Sequence, residues 1–257
     1  MFVIKRDGSK QDLDITKIQD MTKEAVANLE GVSQSELEVD AQIKFIDGMN
    51  SSDIQEALIK TAVDKVDVDV PNWGFVAARL FIFDLYHRVG KNVHGIKGKP
   101  YGHLKDHIEF GIKAGRLIPS LADGYDLDDL TNYIKPERDY LFNYLGIKTL
   151  YDRYLIKDAK GEPIELPQQM FMGIAMFIAQ KENNKQEKAK KFYDVISKFE
   201  VMLATPTLSN ARTNRHQLSS CFIGSSPDNI EGIFDGYKEM GLLSKFGGKS
   251  ATLRSNM

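Results

Sequence analysis

Apolar and polar positions change period once in the first ninety or so residues. Apolar Phe2 and Ile4 stand two residues apart, Asp7 and Gly8 follow, and "KQDL" comes after them. That order predicts a short β-hairpin closed by an Asp-Gly turn. The period then lengthens to three and four. Ile18, Ala25 and Leu29 predict a helix over Ile15 to Leu29, and Leu37, Ala41 and Phe45 predict a shorter one ending before Gly48. In "SSDIQEALIKTAVDKV" the apolar series is Ile54, Ala57, Leu58, Ala62 and Val66, and Ser52 and Gln55 have capping-box spacing. A fourth helix is predicted after Pro71, through "NWGFVAARLFIFDLYHRVG", with Gly90 as a left-handed stop.

The stretch "GKNVHGIKGKPYGH" is rich in Gly and Lys and predicts a domain boundary near residue 92. Beyond it lie three helical blocks, "ERDYLFNYLGIKTLYDRYLI", "LPQQMFMGIAMFIAQKE" and "EKAKKFYDVISKFEVML". Met170, Met172 and Met176 in the second block read as core packing rather than as a soft-ligand stripe. Past residue 200 the pattern predicts a short strand in "EVMLAT", a loop, "SSCFIG", and a last helix from about Asp228 to Phe246.

Composition narrows the classes. The 257 residues are 42% hydrophobic and 27% charged, which suits one large globular domain or two modest ones. A formal net charge of −2 gives no global reason to bind nucleic acid, because phosphate backbones demand a surplus of Lys and Arg. No apolar segment follows a basic N-terminus, and the longest apolar run, residues 170–179, is about half of what a bilayer needs. The expectation is a cytoplasmic protein without membrane or nucleic-acid partners. A single cysteine excludes an internal disulfide framework and argues against a thiolate zinc site, so no metal is expected on this chain.

Two constellations could carry chemistry. Lys5, Arg6 and Lys17 surround a turn and a helix start, where backbone N–H groups, the helix dipole and cations together hold phosphate; the alternative is a solvated hairpin. Cys221, flanked by Ser219 and Ser220, is either a small buried hydrophobe or a reactive thiol. Asp228, three residues before Glu231, is expected to cap the last helix.

From Val3 to Gly90, "VIKRDGS", "TKI", "SSDI" and "AARLFIFDLY" stand in an order and at intervals that resemble the ATP-cone, the allosteric module at the start of many ribonucleotide reductase large subunits. The resemblance implies that ATP or dATP, accompanied by Mg2+, is gripped by Lys5 and Arg6, by Gln11, Asp12, Leu13, Asp14, Ile15, Thr16 and Lys17, by Ser51, and by His87. Two positions depart from the family pattern: Gln11 stands where Glu is frequent, and His87 where a Lys is frequent, with Arg88 beside it.

The second half, with "ERDYLFNYLGIKTLYDRYL", "KKFYDVISKFEVMLATPTLSNART" and "QLSSCFI", is similar to the sequence that precedes and enters the barrel of class I ribonucleotide reductase large subunits. That likeness implies Cys221 as one of two thiols that reduce the ribose, with Thr205 and Ser220 holding substrate. It also implies a specificity-effector contact at Asp228, Asn229 and Ile230. The implied fold is a mainly α N-terminal part, ATP-cone helices with a short β-hairpin and then a helical domain, leading into the first element of a ten-stranded α/β barrel. Its implied divisions are residues 1–92, 93–200 and 201–257. The implied partners are a small (beta) subunit bearing a dinuclear metal and radical, a second large subunit in a homodimer, and thioredoxin or glutaredoxin as reductant.

The likeness fades near Lys249, leaving residues 249–257 as an atypical tail, and the expectation is a truncated chain without the partner thiol and so without turnover alone. The rival readings are a stand-alone ATP/dATP-sensing module and a remnant without function. A single cysteine argues against the zinc-ribbon form of such a module.

Overall fold

The computed structural model describes residues 1–6, 8–41, 46–94, 101–245 and 249–254. It is mainly helical with two small sheets. Phe2–Ile4 (β1) and Lys10–Asp12 (β2) form the expected hairpin, with Phe2 opposite Asp12 and Ile4 opposite Lys10. Lys5 N–H bonds to the Ser9 carbonyl and Gly8 N–H to the Lys5 carbonyl, both at 2.8 Å. Gly8 has φ +81°, a conformation that a side chain would strain. Asp7, the other expected turn residue, lies outside the described residues.

Ile15–Val26 (α1) starts at Asp14, whose carboxylate accepts from Thr16 N–H at 3.1 Å. Gln34–Asp40 (α2) is capped by the Ser33 hydroxyl; it ends at Ala41, and Phe45 lies outside the described residues. Met49–Asn50 (β3) pairs parallel to β1, completing a sheet of order β2-β1-β3. A two-residue strand is too short to show alternation, which is why the hydrophobic pattern missed it.

Ser51–Asp64 (α3) follows at once, and here the expected capping box does not form. Asn50 is the capping position, Ser52 lies inside the first turn, and the buried Gln55 side chain instead donates to the Leu80 carbonyl at 2.7 Å. Leu80 belongs to Trp73–Val89 (α4). Gly90 does not stop that helix: at φ −55°, ψ −43° it is right-handed, and the chain runs on into a π-helical turn, Gly90–His94.

Leu104–Lys113 (α5) and Leu127–Tyr133 (α6) were not foreseen, whereas Tyr144–Arg153 (α7), Pro167–Ala179 (α8) and Lys185–Ser197 (α9) fall within the three predicted blocks. A 3-10 turn, Pro136–Leu141, precedes α7. The predicted strand "EVMLAT" is absent. Its residues end α9 instead: Phe199 takes φ +61°, and the N–H groups of Glu200 and Val201 both bond to the Val195 carbonyl. Thr205 then opens Thr205–Asn210 (α10).

Cys221–Ser226 (β4), Ile230–Lys245 (α11) and Lys249–Arg254 (β5) form a parallel strand pair with a helical crossover. The expected cap at Asp228 is corrected to Asn229, whose side-chain oxygen accepts from Gly232 N–H at 2.8 Å. Asn229 is three residues before that N–H and so has the reach that Asp228 lacks.

Two cores form, and α4 serves both. Trp73, Val76, Ala77 and Leu80 pack with Val3, Ala25, Leu37, Ile54, Leu58 and Ala62. Ala78, Ile82, Leu85 and Val89 pack with α5 through α9. Met170, Met172 and Met176 are fully buried in this second core, as expected. No described helix is long and apolar enough to cross a membrane.

Candidate functional site

The hairpin turn and the neighbouring strand ends converge on the C-terminal end of α4. Because β1 and β3 run parallel with Ile4 beside Asn50, Lys5 and Ser51 leave the sheet side by side. Ser51 opens α3, whose first backbone N–H groups have no partner within the helix, and the Asn50 side chain does not cap them. Arg6 makes an ion pair with Asp84 of α4, and Lys91 Nζ donates to the Arg6 carbonyl at 3.3 Å.

Asp84, His87 and Lys91 are spaced by three and four residues, which aligns them along one side of the helix. Both outer members touch Arg6, so His87 between them faces the turn. Arg88 lies 3.7 Å from Asp84 and 2.9 Å from Glu162. Among the described residues, Arg6 and Arg88 pair with Asp84, Arg88 also pairs with Glu162, and Lys5 and Lys91 add two further cations to this end of α4. His87, exposed at the surface, is held below its ordinary pKa, first by partial loss of water to its neighbours and then by the Arg6 and Lys5 charges, with Asp84 opposing. Cations, a turn and an open helix N-terminus are the chemistry of an anion site.

The remaining predicted residues of this site lie elsewhere on the sheet. Gln11 is opposite Val3, Asp12 is opposite Phe2, and Leu13 N–H bonds to the Met1 carbonyl at 2.9 Å. Asp14 caps α1, Lys17 lies 3.6 Å from Asp14, and Ile15 and Thr16 form the first turn. The stretch Asp12 to Lys17 is therefore at the far end of β1, about 10 Å away at three residues of strand rise. The structure brings together Lys5, Arg6, Ser51 and His87. Asp84 and Lys91 were missed, although an acid three residues before His87 and a lysine four after it share its helix face.

At the other end of the chain Cys221 is the first residue of β4, and its thiol is exposed, which removes the reading as a buried hydrophobe. The Ser220 hydroxyl is 4.0 Å from the thiol sulfur, and Ser219 Oγ donates to the Cys221 carbonyl at 3.4 Å. Thr205 shares a 3.2 Å hydrogen bond with the Tyr154 hydroxyl. Asp228, Asn229 and Ile230 are all exposed at the start of α11.

A buried ion pair anchors α10. Arg212 and Glu165 are both fully buried, with Arg212 Nε donating to Glu165 Oε2 at 3.0 Å and Nη2 pairing with Oε1. Arg212 also donates to the carbonyls of Leu208, at 2.6 Å, and Tyr154, at 2.9 Å. Tyr154 therefore touches Thr205 at its hydroxyl and Arg212 at its backbone.

Between the two ends lies a buried polar network. Asp139 accepts from Tyr86 of α4 at 2.7 Å, from Tyr101 at 2.6 Å and from Gln168 at 2.8 Å, while Tyr193 donates to Gln168 at 2.8 Å. Burial pushes the Asp139 carboxyl up to about 6, against the lowering effect of those three donors.

Residues 1–88 match the ATP cone domain, and residues 140–216 match the all-alpha domain of ribonucleotide reductase. Over 246 residues the chain is 62% identical to the ribonucleoside-diphosphate reductase subunit alpha of Helicobacter pylori (strain ATCC 700392 / 26695), covering 96% of this chain and 30% of that one. It is 35% identical over 194 residues to the subunit of the same name from Treponema pallidum (strain Nichols), covering 75% of this chain and 23% of that one. It is 32% identical over 239 residues to ribonucleoside-diphosphate reductase 1 subunit alpha of Escherichia coli (strain K12), covering 91% and 31%. The chain spans less than a third of the length of these curated relatives.

Proposed function

We propose, from its kinship with the alpha subunits of ribonucleoside-diphosphate reductases, that this chain supplies the effector-binding end of such a subunit together with one of its reducing thiols. The observation that carries the first half is the cation cluster at the hairpin turn, within the segment that matches an ATP cone. Lys5 and Arg6, the start of α3 at Ser51, and His87 would hold the phosphates of ATP or dATP with its Mg2+. The nucleotide then extends along β1 toward Gln11 and the start of α1, where Asp12, Leu13, Asp14, Ile15, Thr16 and Lys17 would receive its other end.

For the second half, Cys221 is the reductant, and Thr205 and Ser220 position the ribonucleotide. Replacing the 2′ C–O bond by C–H consumes two electrons. Two thiols become a disulfide and the hydroxyl leaves as water, so one cysteine cannot complete the step. The second thiol and the radical would come from outside this chain, the radical from a small subunit with a dinuclear metal, and thioredoxin or glutaredoxin would restore the dithiol. We read β4, α11 and β5 as the opening of an α/β barrel, and Asp228, Asn229 and Ile230 as part of a specificity-effector contact completed across a homodimer.

Calorimetric titration of ATP and of dATP into the purified chain tests the effector half. The expected result is saturable binding that Lys5→Ala weakens at least tenfold, because it removes a charge-assisted phosphate contact. Absence of binding by the parent chain would overturn it.

A further inference from the structure

We propose that His87 is a proton-linked ligand for the nucleotide's phosphates, taking up a proton as a triphosphate docks, so that acidification tightens effector binding; this rests on the nucleotide site proposed above. His87 lies on the side of α4 that faces the hairpin turn, bracketed by Asp84 and Lys91, both of which contact Arg6. Among the described residues the charged groups around it are Lys5 and Arg6 from the turn, Asp84 and Arg88 from its own helix, Lys91 from the π-turn, and Glu162, which reaches Arg88.

The free protein disfavours a charged imidazole here. Its neighbours strip part of its water although the side chain is still exposed, Arg6 and Lys5 repel it, and Asp84, already paired to Arg6, compensates only in part, so the ring is held below its ordinary value. An incoming triphosphate reverses the charge repulsion. Its negative charge neutralises the repulsion and offers the ring a charge-assisted hydrogen bond, which raises the pKa in the complex. Protonation is thus coupled to binding between the free and bound pKa values, and affinity falls as pH rises through that window. A lysine at this position would stay charged throughout and give no such dependence.

The nucleotide's own ionisation works in the opposite direction. A phosphate's second ionisation near pH 6 adds negative charge as pH rises, which alone strengthens binding to cations. The two contributions therefore differ in sign.

The test is calorimetric titration of ATP into the 257-residue chain at several values between about pH 6 and pH 8, in buffers of different ionisation enthalpy, for the parent, His87→Gln and His87→Lys. The parent should take up a fraction of a proton that His87→Gln does not. Its affinity, relative to that variant, should fall with rising pH by at most about tenfold per unit. His87→Lys should bind tightly without that fall. Equal proton uptake and equal pH slopes for the parent and His87→Gln would overturn the inference while leaving the nucleotide site standing. No binding of ATP by the parent or by His87→Lys at any pH would overturn the site and the inference together.

Discussion

Single residues decide how α10 is held. Arg212 and Glu165 are both fully inaccessible, and their pairing is completed by the Leu208 and Tyr154 carbonyls and by Ile156 N–H on Glu165. Removing one partner strands a charge in a dry interior. Arg212→Met should cost about 3–5 kcal/mol, read as a drop in the urea midpoint. A loss under 1 kcal/mol would mean that Glu165 is neutral or hydrated. Nothing in the local pattern around Arg212 signalled its burial, since an arginine between Ala211 and Thr213 in a polar stretch reads as a surface residue. At Cys221 the residues alone left a buried hydrophobe and a reactive thiol both open, and the thiol begins an edge strand and is exposed.

At the level of elements, amphipathic periodicity located α3 because that helix buries a continuous stripe, Ile54, Leu58 and Ala62. End chemistry was less legible. Ser52 and Gln55 have the spacing of a capping box, yet α3 grows directly out of β3, which moves its start to Ser51 and leaves Gln55 facing α4. Sheet pairing overrode local capping. The two residues should therefore respond differently to truncation. Gln55→Ala should destabilise by about 1–3 kcal/mol, because the Leu80 carbonyl is left buried without that partner. Ser52→Ala, at an exposed position, should stay within about 0.5 kcal/mol. Equal losses in thermal or urea unfolding would restore the capping box. In the same way "EVMLAT" has strand composition, but its first residues are consumed in closing α9, with Phe199 in a left-handed conformation usually left to glycine.

Across the whole molecule, the hairpin turn and the second core are joined through α4, which pairs Asp84 with Arg6 and brings Tyr86 to Asp139. Among candidate site residues, Lys5 and Arg6 were readable in the sequence because a turn is local, and Ser51 came from the family resemblance. Asp84, Lys91 and the Asp139 network were not, because they depend on which helix packs beside the hairpin. Asp139 has a consequence in solution. Its carboxyl is raised to about 6 from an ordinary 3.8, so the folded protein binds this proton more tightly than the unfolded chain. The sign is opposite to that of a salt-bridged carboxylate. The stability from this group is present below about pH 4 and is lost as pH rises to about 6, by on the order of 3 kcal/mol. Asp139→Asn should flatten that segment of the stability-pH curve measured by urea unfolding. An unchanged slope would show that Asp139 is not the group responsible.

The sharing of α4 between two cores also has a mechanical meaning. Its 17 residues form a rod about 25 Å long, gripped by one core through Trp73, Val76, Ala77 and Leu80 and by the other through Ala78, Ile82, Leu85 and Val89. Such a rod is a lever whose fulcrum lies where the two grips overlap. A tilt of about 5° about its middle carries each tip roughly 1 Å and Tyr86 about 0.7 Å, enough to lengthen the 2.7 Å hydrogen bond from Tyr86 to Asp139 beyond its usual range. Whatever displaces Arg6 from Asp84 pushes on one arm of that lever, and the interior of the second core is built around the same arm.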